Sequence, residues 1–168
     1  MTGSENRTRL VLIGGAPGVG KSAVAREILS RLDNCVWLDG DDLWRMNPFV
    51  VNTKTRRMVE RNAKAVLRSF IAEGFSTVLF TWVLHRQSIA KRIIAGLPKS
   101  KYRLFHFTLV CSDRTLKTRI DSDGSGRRDV HLAIDRLRKT RLLSSMKVQT
   151  DGKTPNRIAK EILEHLSI

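Results

Sequence analysis

The hydrophobic pattern of the chain alternates between short apolar runs and longer amphipathic stretches. Residues 10–14 and 76–83 are apolar runs that contain β-branched or aromatic side chains, which are typical of strands buried in a sheet. Between such runs, apolar residues recur at steps of three and four, which predicts helices with one buried face. The clearest helix follows a cap at Asn52 or Thr53 and ends at Gly74.

The same pattern gives a complete order of elements. Strands are predicted at residues 10–14, 36–38, 76–83, 103–110 and 146–150. Helices are predicted at residues 21–32, 53–73, 88–95, 112–120, 129–144 and 154–166. Because strands and helices alternate, the pattern predicts the α/β class, with a five-stranded parallel sheet, right-handed crossovers and helices on both faces. The length of 168 residues fits a single domain spanning residues 1–168.

Composition argues against membrane-spanning and exported proteins. No apolar run approaches the roughly 18 residues that a membrane span requires, and the N-terminal residues MTGSENRTR are polar. Cys35 and Cys111 match no metal-binding or redox spacing, which favours two buried reduced thiols. These features predict a cytoplasmic protein with no membrane partner.

The formal net charge of +15 is unevenly distributed. Residues 1–46 carry equal numbers of basic and acidic side chains, so the entire surplus lies in residues 47–168. A localised surplus can concentrate an electrostatic field on an anionic ligand. It can equally serve general solubility and attract nucleic acid nonspecifically. The charge alone leaves both interpretations open.

A glycine-rich motif of the Walker A type follows the first predicted strand and opens the first predicted helix. Gly15, Gly20, Lys21 and Ser22 fill the pattern G-x-x-x-x-G-K-[ST]. Its backbone N–H groups and the helix N-terminus would bind ATP phosphates. Lys21 would reach the β- and γ-phosphates, and the Ser22 hydroxyl would bind Mg²⁺. The predicted nucleotide-binding residues here are Gly15, Ala16, Pro17, Gly18, Val19, Gly20, Lys21, Ser22 and Ala23.

An acidic turn, Asp39-Gly40-Asp41-Asp42, follows the second predicted strand at the edge where open parallel sheets bind ligands. A hydroxyl that attacks a γ-phosphate needs a carboxylate to orient it and accept its proton, and Mg²⁺ needs oxygen ligands. A solvated turn that caps a helix is the alternative. The third predicted strand ends without the acid that a plain NTPase more often carries, which favours a kinase.

With this motif and this turn, the chain resembles the P-loop kinases of small molecules, a group that includes shikimate, gluconate, adenylylsulfate and chloramphenicol kinases and the kinase half of polynucleotide kinases. The resemblance implies the three-layer P-loop NTPase fold. The Asp-Gly-Asp sequence is similar to that of gluconate and adenylylsulfate kinases. That similarity implies that Asp41 is the base for the acceptor hydroxyl and that Asp39 is the carboxylate on the magnesium side.

The resemblance also implies a lid around residues 119–130 that closes over ATP. Arg119, Arg127 and Arg128 are its matching arginines, of which one would stack on adenine and others would contact the phosphates. Arg119 therefore joins the predicted nucleotide-binding residues. The predicted catalytic residues are Lys21, Asp39, Asp41, Arg127 and Arg128. Arginines 136, 138 and 141 lie on the next predicted helix, and spacing does not show which of them reaches a phosphate.

The acceptor site is predicted where chain segments leave the second and third strands. The first segment contains Asp41, and it also contains Trp44, Arg45 and Phe49, which would line the site with aromatic and cationic surface. The second segment contains Trp82, His85 and Arg86. Trp82 in the core and His85 satisfied within its loop are the alternatives for those two residues.

These observations predict an enzyme, an ATP- and Mg²⁺-dependent kinase that phosphorylates a hydroxyl group of a small molecule. The basic surplus keeps a 5′-hydroxyl polynucleotide kinase as one alternative. A nucleotide-binding NTPase or regulator without a phosphoryl acceptor is another. The sequence does not identify the acceptor.

Overall fold

The computed structural model describes residues 7–124 and 129–167. The strands are β1 (Thr8–Gly15), β2 (Cys35–Asp39), β3 (Thr77–Trp82), β4 (Tyr102–Val110) and β5 (Met146–Gln149). The helices are α1 (Lys21–Leu29), α2 (Thr53–Ala72), α3 (Gln87–Ile94), α4 (Asp113–Ser122), α5 (Val130–Arg141) and α6 (Pro155–His165). Short 3₁₀ helices cover Gly40–Trp44 and Lys99–Lys101.

The five strands form one parallel sheet in the order β2-β3-β1-β4-β5, with β1 at its centre. Alternate residues of a strand face opposite sides of a sheet. Leu10 and Leu12 therefore pack with α2 and α3, whereas Val11 and Ile13 pack with α1, α4, α5 and α6. Helices cover both faces, so the three-layer α/β fold with a five-stranded parallel sheet is confirmed.

The best-defined helix boundary is the start of α2. The Asn52 side chain accepts a hydrogen bond from the Thr55 backbone N–H, and the Thr55 hydroxyl accepts one from the Asn52 N–H, both at 2.9 Å. This reciprocal cap satisfies backbone donors that the first helical turn leaves unpaired. Of the two caps that the sequence suggested, Asn52 or Thr53, the structure has Asn52.

Two further sequence expectations concern the thiols and membranes. Both cysteines are free; Cys111 is buried and Cys35 is half-buried. Within the described residues, no helix combines the length and the apolar character that a membrane crossing requires.

The parallel arrangement brings the predicted site segments to one edge. The strands run in the same direction, so the glycine-rich loop after β1, the acidic turn after β2 and the loop after β3 all leave the carboxyl edge of the sheet. Gly14 pairs with Trp82, and Asp39 pairs with Thr81. The ends of β1, β2 and β3 are therefore aligned along this edge of the sheet.

Candidate functional site

The glycine-rich loop is held rigidly between β1 and α1. Ala16 and Val19 are fully buried, and the Lys21 side chain, at 8% exposure, donates a hydrogen bond from Nζ to the Ala16 carbonyl at 3.0 Å. Gly20 caps α1, whose first turn carries no acidic residue. The positive end of the helix dipole is therefore free of a competing carboxylate from its own first turn, as an anion-binding loop requires.

Gly18 shows why this loop needs a glycine. Its φ is +82°, and an added Cβ would lie 2.9 Å from the Cγ1 atom of Ile120 on α4. A side chain would be strained by its backbone and would also displace the helix. The loop is therefore packed closely against α4.

Two candidate magnesium ligands meet beside the loop. The Ser22 hydroxyl donates a hydrogen bond to Asp39 Oδ2 at 2.7 Å, and Asp39 Oδ1 accepts one from the Asp41 N–H at 3.1 Å. Hydroxyl and carboxylate oxygens are the hard donors that Mg²⁺ takes from proteins, with water and substrate phosphates completing the octahedron. The residues present therefore fit a magnesium ion.

Trp82 lies beneath the acidic turn. Its side chain is 9% exposed, and a Cβ built on Gly40 would be only 2.5 Å from Trp82 Cγ. The backbone between Asp39 and Asp41 therefore rests on the indole ring. Trp82 belongs to the hydrophobic core here, in agreement with the alternative interpretation of the sequence.

Arg45 forms an ion pair with Asp42 on the same turn. Its Nε and Nη2 atoms both donate to Asp42 Oδ1, at 2.9 and 2.7 Å, and both side chains are largely exposed. Trp44, which lies between Asp42 and Arg45 in sequence, is half-buried, and its ring centroid is 6.5 Å from that of Trp82.

His85 lies in the loop after β3, within the electrostatic influence of α5. The histidine is half-buried, and its Nδ1 lies 3.2 Å from the Val83 carbonyl oxygen. Burial lowers the His85 pKa, and the charges of Arg136, Arg86 and Lys139 lower it further, whereas the contact with Val83 opposes the shift. The imidazole is therefore neutral at neutral pH. Arg86 is exposed at the start of α3.

The three arginines of α5 separate into two groups. Arg138 and Arg141 each form an ion pair with Asp113, at 2.9 Å, and Arg141 also donates to the Cys111 carbonyl at 2.7 Å. Arg136, in contrast, is half-buried and acts electrostatically on His85. Among the α5 arginines, Arg136 is therefore the one whose charge influences the predicted acceptor segment after β3.

Arg119 joins the glycine-rich loop to the loop after β5. Its Nη1 donates to the Val19 carbonyl at 3.1 Å and to Thr150 Oγ1 at 3.0 Å, and its Nη2 donates to the Thr150 carbonyl at 2.8 Å. Beside it is a cavity of about 240 Å³. The cavity is lined by Val19, Gly20, Val24, Arg119, Lys153, Pro155 and Ile158. One of its lining residues, Arg119, is among the arginines that the resemblance assigns to adenine or the phosphates.

A protein family described as an AAA domain matches residues 11–141, which is most of the chain. The chain belongs to this AAA-domain family. No curated protein matches it in sequence.

Solved structures resemble this AAA-domain protein along its whole length. The tunicamycin resistance protein of Deinococcus radiodurans has a TM-score of 0.77 at 20% identity, with 96% of this chain and 97% of that chain covered. A gluconokinase from Sinorhizobium meliloti 1021 has a TM-score of 0.71 at 16% identity, with 97% and 93% covered. The shikimate kinase of Acinetobacter baumannii, in complex with shikimate, has a TM-score of 0.66 at 17% identity, with 97% and 94% covered. The protein therefore has the fold of these three structures, two of which are small-molecule kinases.

The predicted lid of the AAA-domain protein is only partly described. Arg119 lies in the last turns of α4, and the chain is described up to residue 124. Arg127 and Arg128, both predicted catalytic residues, lie outside the described residues.

Asp151 is a site residue that the sequence did not reveal. Its carboxylate accepts hydrogen bonds from the Ser112 N–H and hydroxyl and from the Thr115 hydroxyl, the shortest being 2.6 Å from Thr115. The bond from Thr115 is the main reason that the pKa of Asp151 is lowered, with those from Ser112 contributing. Asp151 thereby fixes the loop after β5 to the first turn of α4. The only sequence signal was the cap at Ser112, which names no distant partner.

Replacement of Arg119 by lysine in the AAA-domain protein is expected to raise the KM for ATP about tenfold, because an ammonium group cannot reproduce the planar fork that holds two loops. Initial-rate kinetics over a range of ATP concentrations measure this effect. Lys117→Ala, an exposed change on the same helix, is the matched control. An unchanged KM for ATP in Arg119→Lys would show that the link between the loops does not support nucleotide binding.

Proposed function

We propose that this protein is an ATP- and Mg²⁺-dependent kinase that transfers the γ-phosphate to a hydroxyl group of a small molecule. The observation that carries the proposal is the 2.7 Å hydrogen bond between Ser22 of the glycine-rich loop and Asp39 of the acidic turn. It joins the phosphate-binding loop to the turn that bears Asp41, so that nucleotide and acceptor groups would converge there. The kinase-type fold supports the proposal.

Each residue has a distinct task in this scheme. The loop N–H groups and Lys21 bind the phosphates, and Lys21 exchanges its contact with the Ala16 carbonyl for phosphate oxygens. Ser22 and Asp39 would hold Mg²⁺. Held there, it would supply positive charge that neutralises the phosphates. Arg119 and the loop after β5 hold the base, and Arg127 and Arg128 belong to the lid.

Asp41 performs the acceptor chemistry in the proposal. Its carboxylate orients the acceptor hydroxyl toward the γ-phosphate and accepts the hydroxyl proton as the new P–O bond forms. Phosphoryl transfer consists mainly of such positioning together with electrostatic stabilisation. His85 and the nearby cation Arg136 face the acceptor space in this scheme, and Arg86 lies at its entrance.

The proposal is tested by measuring ADP release in the presence of hydroxyl-bearing metabolites, nucleosides, antibiotics and a 5′-hydroxyl oligonucleotide. The expected result is that one class of compound stimulates ADP release and becomes phosphorylated, and that Lys21→Met removes the stimulation. Lys160→Met, at an exposed lysine of α6 that does not line the nucleotide cavity, is the control. An ATPase rate that no hydroxyl compound stimulates would instead indicate an NTPase without an acceptor.

A 5′-hydroxyl polynucleotide kinase is the second candidate, because α2 carries a basic stripe. Arg61, Lys64 and Arg68 line a groove of about 490 Å³ along one side of this helix. Binding to a polynucleotide through several phosphates weakens steeply as salt rises. Turnover of the oligonucleotide that falls steeply between low and physiological salt would favour this candidate. No detectable oligonucleotide binding at about 50 mM salt would exclude it.

A further inference from the structure

Three aromatic side chains extend outward from the acidic turn. The Trp44 ring lies 6.5 Å from that of Trp82 and 6.1 Å from that of Phe49, between centroids. Exposure increases along this aromatic row, from 9% at Trp82 to 67% at Phe49, with Trp44 half-buried. The buried end of the row supports Gly40, which separates Asp39 from Asp41.

The exposed end of the aromatic row continues into an apolar surface. Phe49, Val50 and Val51 are consecutive and are 67%, 39% and 47% exposed. Among the large apolar side chains that are exposed in residues 7–124 and 129–167, only these three are consecutive in sequence. A single exposed apolar residue is ordinary, whereas a contiguous group beside a candidate site indicates a ligand surface.

The guanidinium that follows Trp44 in sequence is already paired. Arg45, the cation nearest in sequence to Trp44, forms its ion pair with Asp42. A ligand body lying over Trp44 and Phe49 would therefore meet aromatic and aliphatic groups rather than an unpaired guanidinium. Such a surface matches an apolar ring or chain better than a polyol or a sugar acid, whose hydroxyl and carboxylate groups need hydrogen-bonding partners.

We propose that the aromatic row binds an apolar body of the phosphoryl acceptor, so that the acceptor is a hydroxyl compound with an attached aromatic or aliphatic ring. This inference rests on the proposed kinase function. The row begins at the turn that bears Asp41, so a hydroxyl held by that carboxylate directs the rest of the molecule along Trp44 toward Phe49. A stable protein partner would require about 800 Å² from each side, far more than three side chains provide.

The test uses pairs of compounds that carry the same hydroxyl groups with and without a phenyl ring. Phenyl and methyl β-D-glucopyranoside form one pair, phenyl and methyl β-D-ribofuranoside a second, and 3-phenyl-1-propanol and 1-propanol a third. Kinetics of ADP release give KM for each compound. We expect KM to be about tenfold lower for the phenyl member of a phosphorylated pair, and Phe49→Ala to remove this preference without changing KM for ATP.

A matched control and a binding measurement separate the two proposals. Leu142→Ala removes another exposed apolar side chain, at 87% exposure, and should keep the preference. Quenching of tryptophan fluorescence by the phenyl compounds measures their binding directly, and Trp44→Phe identifies the reporter ring. Phe49-dependent binding of phenyl compounds supports the apolar site even where no compound is phosphorylated, an outcome that would overturn only the kinase function.

Three outcomes would overturn the inference. The first is phosphorylation of both members of a pair with equal KM, or of gluconate or shikimate with a KM that Phe49→Ala leaves unchanged; the kinase function would then stand. The second is absence of both turnover and Phe49-dependent binding, which would remove both proposals. The third is self-association, measured by sedimentation, that Phe49→Ala abolishes without any phenyl preference, since the surface would then bind a second copy of the chain.

Discussion

Replacement of Asp41 by asparagine is expected to lower kcat by about 10²- to 10⁴-fold, while the KM for ATP changes by less than about threefold. An amide keeps the size of the side chain but cannot accept the proton of the acceptor hydroxyl. The turn itself should survive, because the Asp41 backbone N–H donates to Asp39 Oδ1 and the substitution leaves both groups in place. Nucleotide binding is assigned to other residues and should persist.

The measurement is steady-state kinetics with an acceptor found in the screen, together with calorimetric titration of ATP. Asp42→Asn is the matched control, since Asp42 is the next residue, is exposed and pairs with Arg45. It should leave kcat within about twofold of the wild-type value. An Asp41→Asn variant that turns over normally would assign the proton acceptor to another group.

The fold could be predicted in outline because its signals are local. Buried strands such as residues 10–14 read as continuous apolar runs, and the cap at Asn52 depends on residues within one helical turn. The positions of helix ends were predicted less accurately. The helix predicted to reach residue 32 ends at Leu29, and Asn34 follows with a φ of +53°. The apolar spacing continues beyond the end of the helix to Leu32, so periodicity does not show where the helix stops.

The order of strands in the sheet is a different kind of information. Sequence periodicity shows that a strand is buried but not which strand lies beside it. The arrangement with β1 at the centre depends on long-range packing on both faces. It is this arrangement that places the acidic turn, two strands away from the glycine-rich loop, close enough for Ser22 to reach Asp39.

Within the candidate site, the sequence predicted the motifs but not the contacts between residues that are far apart in the chain. Trp82 could be assigned to the core or to an acceptor surface, because an apolar residue at the end of a strand looks the same in both cases. Arg136 could not be separated from its neighbours on α5 until the ion pairs of the other two arginines with Asp113 were visible. The contact between Ser112 and Asp151 joins residues far apart in sequence. No local pattern predicts such a pair.

Gly40→Ala should lower both stability and turnover, since this glycine is required by a contact rather than by its backbone conformation. Gly40 is buried and its φ is not in the left-handed region, so alanine would fit the backbone. The added Cβ, however, would lie 2.5, 2.7 and 2.9 Å from three Trp82 atoms. Relief of this overlap must move the indole or the turn, at a cost of about 1–3 kcal/mol in the free energy of unfolding.

Displacement of the turn would also affect chemistry, because Asp39 and Asp41 flank the substituted residue. A shift of about 1 Å in catalytic groups can reduce the rate by about 10²-fold. Urea denaturation measures the loss of stability, and kcat is measured well below the unfolding transition. Gly74→Ala is the control: it places alanine at a φ of +80° in open space, so it should cost about 1–2 kcal/mol of stability and leave kcat unchanged.

A double-mutant cycle with Trp82→Ala then identifies the cause. Truncation of the indole removes two of the three close contacts, so Gly40→Ala should cost less stability in the Trp82→Ala background than in the wild type. Equal costs in both backgrounds would show that the turn does not rest on the indole. Normal kcat in Gly40→Ala would mean that the carboxylates tolerate the displacement. If instead both effects depend on Trp82, this tryptophan acts as a positioning residue for Asp39 and Asp41.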